Sequence, residues 1–226
     1  MKLLALDTAS DACSVALALD QDVRYQHVVE PRAHGRLLLP MIRDLLEDAG
    51  IALQQLDALV LGRGPGSFTG VRIATGVVQG LALGAGLPVI PVSSLAAMAQ
   101  GARRRDGASR VAVAVDARMQ EVYWGVFAAD QQGVMREAAP ERVCTPGEVS
   151  LPPGPWPGLG TGFATYGEAL HEACGSNLQG VLDDSRLVDA RDLLPLAETA
   201  WNENGAVAPD DALPVYLRDE VAWSKR

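Results

Sequence analysis

The chain of 226 residues is poor in the side chains that build metal centres and disulfide frameworks, with three cysteines and three histidines. Cys13, Cys144 and Cys174 have no metal-ligand spacing, and their odd number argues against a set of paired disulfides. Cys13 lies in an apolar, strand-like stretch, where free thiols are usually buried. This pattern excludes a small disulfide-stapled secreted domain and favours a reducing, cytoplasmic setting.

Positive charge is also scarce, because 19 lysines and arginines face 28 acidic residues and leave a net charge of −9. Such a balance repels phosphate backbones and disfavours tight, autonomous binding to nucleic acid. Any RNA would have to be held by a partner. Hydrophobic residues make up 48% of the chain and charged residues 21%, which is typical of a compact globular protein.

Long uninterrupted apolar segments are missing. The amino-terminal apolar stretch ends at Asp7, which is too short for the hydrophobic part of a signal peptide. Residues 73–102 carry no charge, but glycines, prolines and serines divide them. We therefore predict a helix, a strand and a second helix there, and no membrane association.

The sequence contains the same pattern twice, an apolar strand that ends in aspartate. Residues 3–6 are apolar and end in Asp7, and about a hundred residues later residues 111–115 are apolar and end in Asp116. Apolar strands return after each turn. We expect two similar α/β lobes, each opening with a β-meander.

We place the boundary between the lobes in the helical stretch around residues 93–107. The expected division is an N-terminal lobe over residues 1–102, which carries the association helices, and a C-terminal lobe over residues 103–226. The second lobe is expected to be reduced, with an irregular proline-rich segment over residues 140–157 and a C-terminal tail.

A glycine-rich loop, residues 62–70, follows an apolar strand and precedes a helix that runs to about Leu83. It has no lysine before its serine or threonine and is not a Walker A loop. Its glycines allow close approach of another group, and the helix start attracts anions. A packed structural turn and an anion site are both open interpretations.

Two helices predict an association surface. The helix over residues 34–49 has an apolar arc wider than one sheet contact needs, which indicates either an outside partner or a generous internal core. In the next helix, Gly76, Gly80 and Gly84 recur every four residues and together lower helix stability by about 3 kcal/mol relative to alanine. Close approach of another helix backbone could offset this loss. The residues predicted at this interface are His34, Leu38, Met41, Ile42, Leu45, Arg72, Ile73, Gly76, Val77, Gly80, Leu83 and Gly84.

Candidates for chemistry are few. Asp7, Thr8 and Asp116 follow the first strand of each lobe and could organise a magnesium nucleotide in a cleft between the lobes, or could simply cap turns. His34 has Leu38 four residues on, where a second metal ligand would face the same way, so no metal site is predicted. His171 and Cys174 lie on one helix face and are weak candidates for a general base and a nucleophile, respectively. No catalytic residue is predicted.

Several short motifs occur along the chain: LALDT at residues 4–8, CSVA at 13–16, HGRLLLP at 34–40, GPGSFTGVRI at 64–73, VSSL at 92–95, DAR at 116–118, EVY at 121–123 and PVYLR at 214–218. Together they resemble the bacterial TsaB family, also called YeaZ, within the actin-like, sugar-kinase and Hsp70 type of ATPase fold. The resemblance is dense over the first half of the chain and thin from residue 131 to residue 208.

The resemblance implies a two-lobed α/β fold and a noncatalytic subunit of the cytoplasmic machinery that places threonylcarbamoyl on the adenosine beside the anticodon of certain tRNAs. It implies a heterodimer with TsaD through the N-terminal lobe, a homodimer when TsaD is absent, and recruitment of the ATPase TsaE. tRNA would be bound only through the complex. The catalytic paralogue TsaD holds a metal through two histidines on its first helix, and Leu38 stands in place of the second.

Other functions compatible with the sequence are a self-sufficient ATPase or kinase of this fold, and a peptidase acting on its partner. The expected cofactor is a nucleotide, ADP or ATP, at the heterodimer interface, with none bound by this chain alone. In the C-terminal tail, the aromatic residues Tyr216 and Trp223 either pack back on the lobe or engage a partner.

Overall fold

The computed structural model describes residues 1–218, which form two five-stranded sheets and five α-helices. The elements of the first half are β1 Lys2–Asp7, β2 Ala12–Leu19, β3 Asp22–Val29, α1 His34–Ala49, β4 Ala58–Gly62, α2 Phe68–Ala85, β5 Val89–Val92 and α3 Ser94–Asp106. Those of the second half are β6 Arg110–Arg118, β7 Glu121–Ala129, β8 Met135–Cys144, β9 Trp156–Leu159, α4 Thr161–Cys174, β10 Leu178–Asp183 and α5 Leu193–Asn202.

The two sheets have the same topology. The strand order is β3-β2-β1-β4-β5 in the first and β8-β7-β6-β9-β10 in the second. In each sheet the opening three strands pair antiparallel and the other two pairings are parallel. The predicted two-lobed α/β fold with duplicated meanders is confirmed.

Helices cover both outer faces and fill the space between the sheets. α1 and α2 pack on the outer face of the first sheet, and α4 packs on the outer face of the second. Between the sheets, α5 packs on the first sheet, α3 on the second, and the two helices pack on each other. Each lobe therefore buries apolar surface of a helix that the other half of the chain supplies.

The expected lobe limits, residues 1–102 and 103–226, differ from this arrangement. Position 102 lies inside α3, and the chain from about residue 189 returns to the first sheet. There the Ala190 N–H donates to Ser14 Oγ at 2.9 Å, and Val207 pairs with Val89 at the edge of the sheet. The reason is that both inner helices bury apolar side chains on two sides, so neither half closes its core alone.

Within residues 1–218, the second lobe is reduced in its outer helices, with α4 on its sheet where the first lobe has α1 and α2, and its irregular segment is shorter than expected. β8 runs through Pro140 to Cys144, and the pairing with β7 shifts register at this point. A proline cannot donate to the ladder, and the bulge on this edge strand accommodates it. After β8, a single 3-10 turn, Pro146–Glu148, packs near α4.

Among the described residues one helix, α2, is long and apolar enough by composition to cross a membrane. One of its faces packs on the first sheet through Ala74, Val78 and Ala82. Residues 73–102 form most of α2, then β5 and most of α3, as the sequence predicted.

The shared core predicts that one truncation between the sheets destabilises the whole chain. Leu95 in α3 is fully buried there, so Leu95→Ala should lower the free energy of unfolding by about 2–5 kcal/mol. Urea unfolding followed by circular dichroism should still show a single transition. The control Leu83→Ala removes a side chain that is 70% exposed and should change stability by less than about 0.5 kcal/mol. Two separate transitions would show that the lobes fold independently.

Candidate functional site

The glycine-rich loop packs directly on the turn between β1 and β2. A Cβ on Gly66 would overlap the Ala9 carbonyl, and a Cβ on Gly70 would overlap the Thr8 carbonyl. Two hydrogen bonds join the loop to this turn: the Ser67 N–H donates to the Ala9 carbonyl at 2.7 Å, and the Thr8 side-chain hydroxyl donates to the Gly70 carbonyl at 2.6 Å. Of the two open interpretations, the structure supports the packed structural turn.

Asp7 and Thr8 are buried beneath this loop and do not line the cleft between the lobes. The Asp7 carboxylate accepts hydrogen bonds from the Ala9 N–H at 2.8 Å and the Ser94 hydroxyl at 2.7 Å. Burial raises the pKa of Asp7 from its ordinary 3.8 to about 6, although these hydrogen bonds lower it. These contacts give Asp7 and Thr8 a structural role, because their polar atoms are engaged inside the fold, and their assignment to nucleotide contacts stays a prediction.

Asp116 does line the cleft, which has a volume of about 650 Å³. Its carboxylate accepts hydrogen bonds from the Arg118 N–H at 2.8 Å and the Arg118 guanidinium at 3.0 Å. Two further arginines of the wall are also paired, since Arg186 contacts Asp106 and Asp183, and Arg218 contacts Glu121. The charged side chains named here neutralise one another, which leaves little net charge for a phosphate.

The apolar arc of α1 belongs to the internal core. α1 packs on β2, β3 and α2 together, and this explains why its arc is wider than a single sheet contact requires. The His34 ring contacts the Ser10 carbonyl through Nε2 at 2.8 Å. The sequence-based assignment of five interface residues is corrected, because the chain's own fold buries them: His34, Leu38, Met41, Ile42 and Leu45.

The opposite face of α2 is open. A Cβ added to Gly76, Gly80 or Gly84 would meet nothing within 4 Å, so no part of residues 1–218 fills this stripe. Arg72 and Leu83 are exposed on the same helix, and Ile73 and Val77 are half-buried. We call Arg72, Ile73, Gly76, Val77, Gly80, Leu83 and Gly84 the α2 docking face, after the association that the sequence predicts for them.

His171 and Cys174 do not form a catalytic pair. The His171 ring contacts the Gly167 carbonyl through Nδ1 at 2.9 Å, and burial raises the pKa of the Cys174 thiol to about 11. A thiol with that pKa is protonated at neutral pH and is a poor nucleophile. All three cysteines are free. Within residues 1–218, no group of three or more metal-ligating side chains comes together.

The sequence did not reveal one cluster at the start of α2. Phe68, Arg72 and Tyr216 meet there, with the Arg72 Nε–H donating to the Tyr216 hydroxyl at 2.8 Å. The helical spacing of Phe68 and Arg72 signals that these two are neighbours. No local pattern signals that a residue so far along the chain joins them. Of the two open interpretations for Tyr216, the structure has this residue packed back on the first lobe, whereas Trp223 lies outside the described residues.

Comparison with known proteins identifies the family. The family model of TsaD, tRNA N6-adenosine threonylcarbamoyltransferase, matches residues 28–224. The tRNA threonylcarbamoyladenosine biosynthesis protein TsaB of Escherichia coli strain K12 is 46% identical, and the alignment covers 100% of this chain and 98% of that protein. The chain belongs to the TsaB family.

Other relatives agree with this membership. TsaB of Haemophilus influenzae is 40% identical, with 100% of this chain and 97% of that protein covered. The solved structure of YeaZ from Pseudomonas aeruginosa is 49% identical and superposes with a TM-score of 0.87 over 96% of this chain and 100% of that one. The resemblance inferred from the sequence motifs is confirmed, and with it the two-lobed actin-like ATPase type of fold.

Two kinds of glycine should respond in opposite ways to alanine. Gly80→Ala places a methyl group in open space and improves helix propensity, so it should stabilise the isolated chain by about 0.5–1 kcal/mol. Gly70→Ala forces a methyl group against the Thr8 carbonyl and should destabilise the folded chain by more than about 1 kcal/mol, as overpacking in a core does. Urea unfolding of the two variants measures both effects. Equal effects of the two substitutions would contradict the distinction between Gly70, which has no room for a Cβ, and Gly80, which has open space around it.

The raised pKa of Asp7 predicts a pH-dependent stability. Folded Asp7 binds its proton more tightly than unfolded Asp7, so its contribution is largest below pH 3.8 and is lost as pH rises through about 6. Asp7→Asn should therefore gain about 2 kcal/mol relative to wild type between pH 4.5 and pH 7.5. Urea unfolding at each pH gives this difference.

Asp130→Asn is the control for this pH effect. Hydrogen bonds from the Val134 N–H and Arg136 lower the pKa of Asp130, so its carboxyl is largely ionised in both states above pH 4.5. The stability difference for this variant should be nearly constant. If the Asp7→Asn difference is equally flat, the buried carboxyl does not titrate in that range.

Proposed function

We propose that this chain is a noncatalytic subunit of the machinery that makes threonylcarbamoyladenosine beside the tRNA anticodon, and that it forms a heterodimer with TsaD. Its relatives are tRNA threonylcarbamoyladenosine biosynthesis proteins, which supports this pathway. In TsaD the helix that corresponds to α1 holds a metal. In this chain His34 contacts the Ser10 carbonyl and Leu38 is buried, which supports a structural role for α1.

The open stripe of α2 is the observation that carries the proposal. Three glycines in a helix interior cost about 3 kcal/mol together, and no contact within residues 1–218 uses the space they leave. A helix of another molecule can approach such a stripe closely and gain dispersion contacts that a larger side chain would prevent. We propose that TsaD supplies this helix, and that a second copy of the chain occupies the same face when TsaD is absent.

The remaining assignments follow from the complex. A net charge of −9 disfavours direct binding of tRNA, so we propose that tRNA is bound through TsaD. We propose that TsaE joins the assembly, that a nucleotide binds at the heterodimer interface, and that the complex works in the cytoplasm. The competing function is a self-sufficient ATPase, which the interlobe cleft favours and the engagement of Asp7 and Thr8 disfavours.

The heterodimer predicts that a bulky residue on the stripe blocks assembly. Gly80→Leu should abolish calorimetric binding to TsaD, because its side chain occupies the space of the incoming helix. In a reconstitution with TsaD, TsaE and tRNA, threonylcarbamoyladenosine formation should fall to the level measured without this chain. Circular dichroism should remain that of wild type.

Gly167→Leu is the matched control for this experiment. Gly167 lies on α4 in the second lobe, and an added Cβ there also meets nothing within 4 Å. Gly167 is half-buried rather than exposed, but the variant adds the same side chain away from α2 and should bind and support modification like wild type. Full modification without this chain would refute the subunit role, and ATP hydrolysis by the purified chain would favour the competing ATPase.

A further inference from the structure

The end of the described chain returns to the start of α2. We call residues 212–218 the C-terminal strap. The Gln79 side chain donates to the Ala212 carbonyl at 3.2 Å, and the Val215 N–H donates to the Arg63 carbonyl at 2.9 Å. Ala212 is fully buried against the outer core of the first lobe. The strap is thus attached to α2 and to the glycine-rich loop that precedes it.

The strap brings an aromatic residue to Arg72. The Arg72 Cζ lies 3.7 Å from the centroid of the Phe68 ring and 5.6 Å from that of Tyr216. The two ring centroids are 5.8 Å apart. Because the Tyr216 hydroxyl also accepts the Arg72 Nε–H at 2.8 Å, the guanidinium is fixed by two aromatic contacts and one hydrogen bond.

This cluster continues the α2 docking face. Arg72 precedes Gly76 by one helical turn and therefore lies on the same face of the helix. Phe68 is 51% exposed and Tyr216 is 47% exposed, so both rings remain open to a neighbouring molecule. Among residues 1–218, Arg72 forms no ion pair, and its one hydrogen bond uses the Nε–H.

We propose that the strap completes the α2 docking face, with Tyr216 positioning the Arg72 guanidinium to pair with a carboxylate of the partner protein. The proposal rests on the proposed function, because it takes the molecule docked on the glycine stripe as the source of the carboxylate. A fixed guanidinium loses little side-chain entropy on pairing, and arginine with exposed aromatics is the composition of interface hot spots. A nucleic-acid phosphate is the less favoured anion, since the chain carries a net charge of −9.

The strap also joins this surface to the second lobe. The Arg218 guanidinium donates to the Ala117 carbonyl at 3.2 Å and pairs with Glu121. Both contacts lie where β6 and β7 meet, across the cleft from α2. The position of Tyr216 is therefore set from both lobes, which keeps the hydroxyl in place when the partner is absent.

The test measures binding of TsaD by calorimetry with variants of the full chain. Tyr216→Phe keeps the ring and loses the acceptor for Arg72, so the dissociation constant should rise about fivefold. Arg72→Ala removes the charge and should raise it about thirtyfold. Combined with Arg72→Ala, Tyr216→Phe should add almost nothing, because the hydroxyl acts through the guanidinium. The control Leu213→Ala changes an exposed strap residue and should bind like wild type.

Salt dependence separates positioning from a purely structural role. Pairing of Arg72 with a carboxylate should make the wild-type affinity fall as salt rises from 50 to about 500 mM, and this dependence should be flatter for Arg72→Ala. Full additivity of the two substitutions, or equal salt dependence, would overturn the proposal. Tighter binding by Tyr216→Phe would also overturn it, because the strap would then cover the face.

The design distinguishes this inference from the proposed function. If wild type does not bind TsaD, the proposed function fails. If wild type binds and Gly80→Leu does not, while the Arg72 and Tyr216 variants bind like wild type, the stripe is the docking site and the contribution of the strap is refuted. Urea unfolding of each variant verifies that the first lobe remains folded.

Discussion

A backbone-to-backbone contact between the glycine-rich loop and the β1–β2 turn determines where α2 begins. Gly66 and Gly70 lie against the carbonyls of Ala9 and Thr8 with no room for a Cβ, and two hydrogen bonds lock the contact. Because the loop leads directly into α2, this contact sets the orientation of the helix and of its open stripe. It also engages the polar atoms of the turn, which in a nucleotide-binding protein would face a phosphate. The same contact thus turns a potential anion site into a support for the docking face.

The exchange of inner helices between the two halves gives this support its rigidity. α3 follows a strand of the first sheet and packs on the second, whereas α5 follows the second sheet and packs on the first. The buried carboxylates Asp189 and Asp192, which come just before α5, pair with Arg104 of α3 at 3.4 Å and 2.6 Å. Relative motion of the lobes would have to disrupt a shared apolar core and break these ion pairs.

The sequence predicts what local patterns and repetition encode. Two apolar strands ending in aspartate predicted the duplicated sheets, and the helix over residues 34–49 was predicted with its observed ends. The pattern could not show that Asp7 lies beneath a loop sixty residues away, because that burial results from tertiary packing. Similarly, the apolar arc of α1 indicates how much surface is buried but not by what, and here two strands and α2 share it. The exchange of α3 and α5 was missed for the same reason.

The glycines of α2 show how a sequence can indicate a surface for association with another molecule. Glycine in the loop is required by contacts inside the fold, whereas glycine in the stripe is required by nothing within residues 1–218. Alanine at Gly76, Gly80 or Gly84 would be the more stable choice for the isolated chain, since helix propensity favours it and no neighbour opposes it. Three such positions on one line, each one turn apart, concentrate the loss of stability on one surface. The proposed heterodimer would supply the missing constraint, because a second backbone in the assembled state could occupy the space that the absent side chains leave.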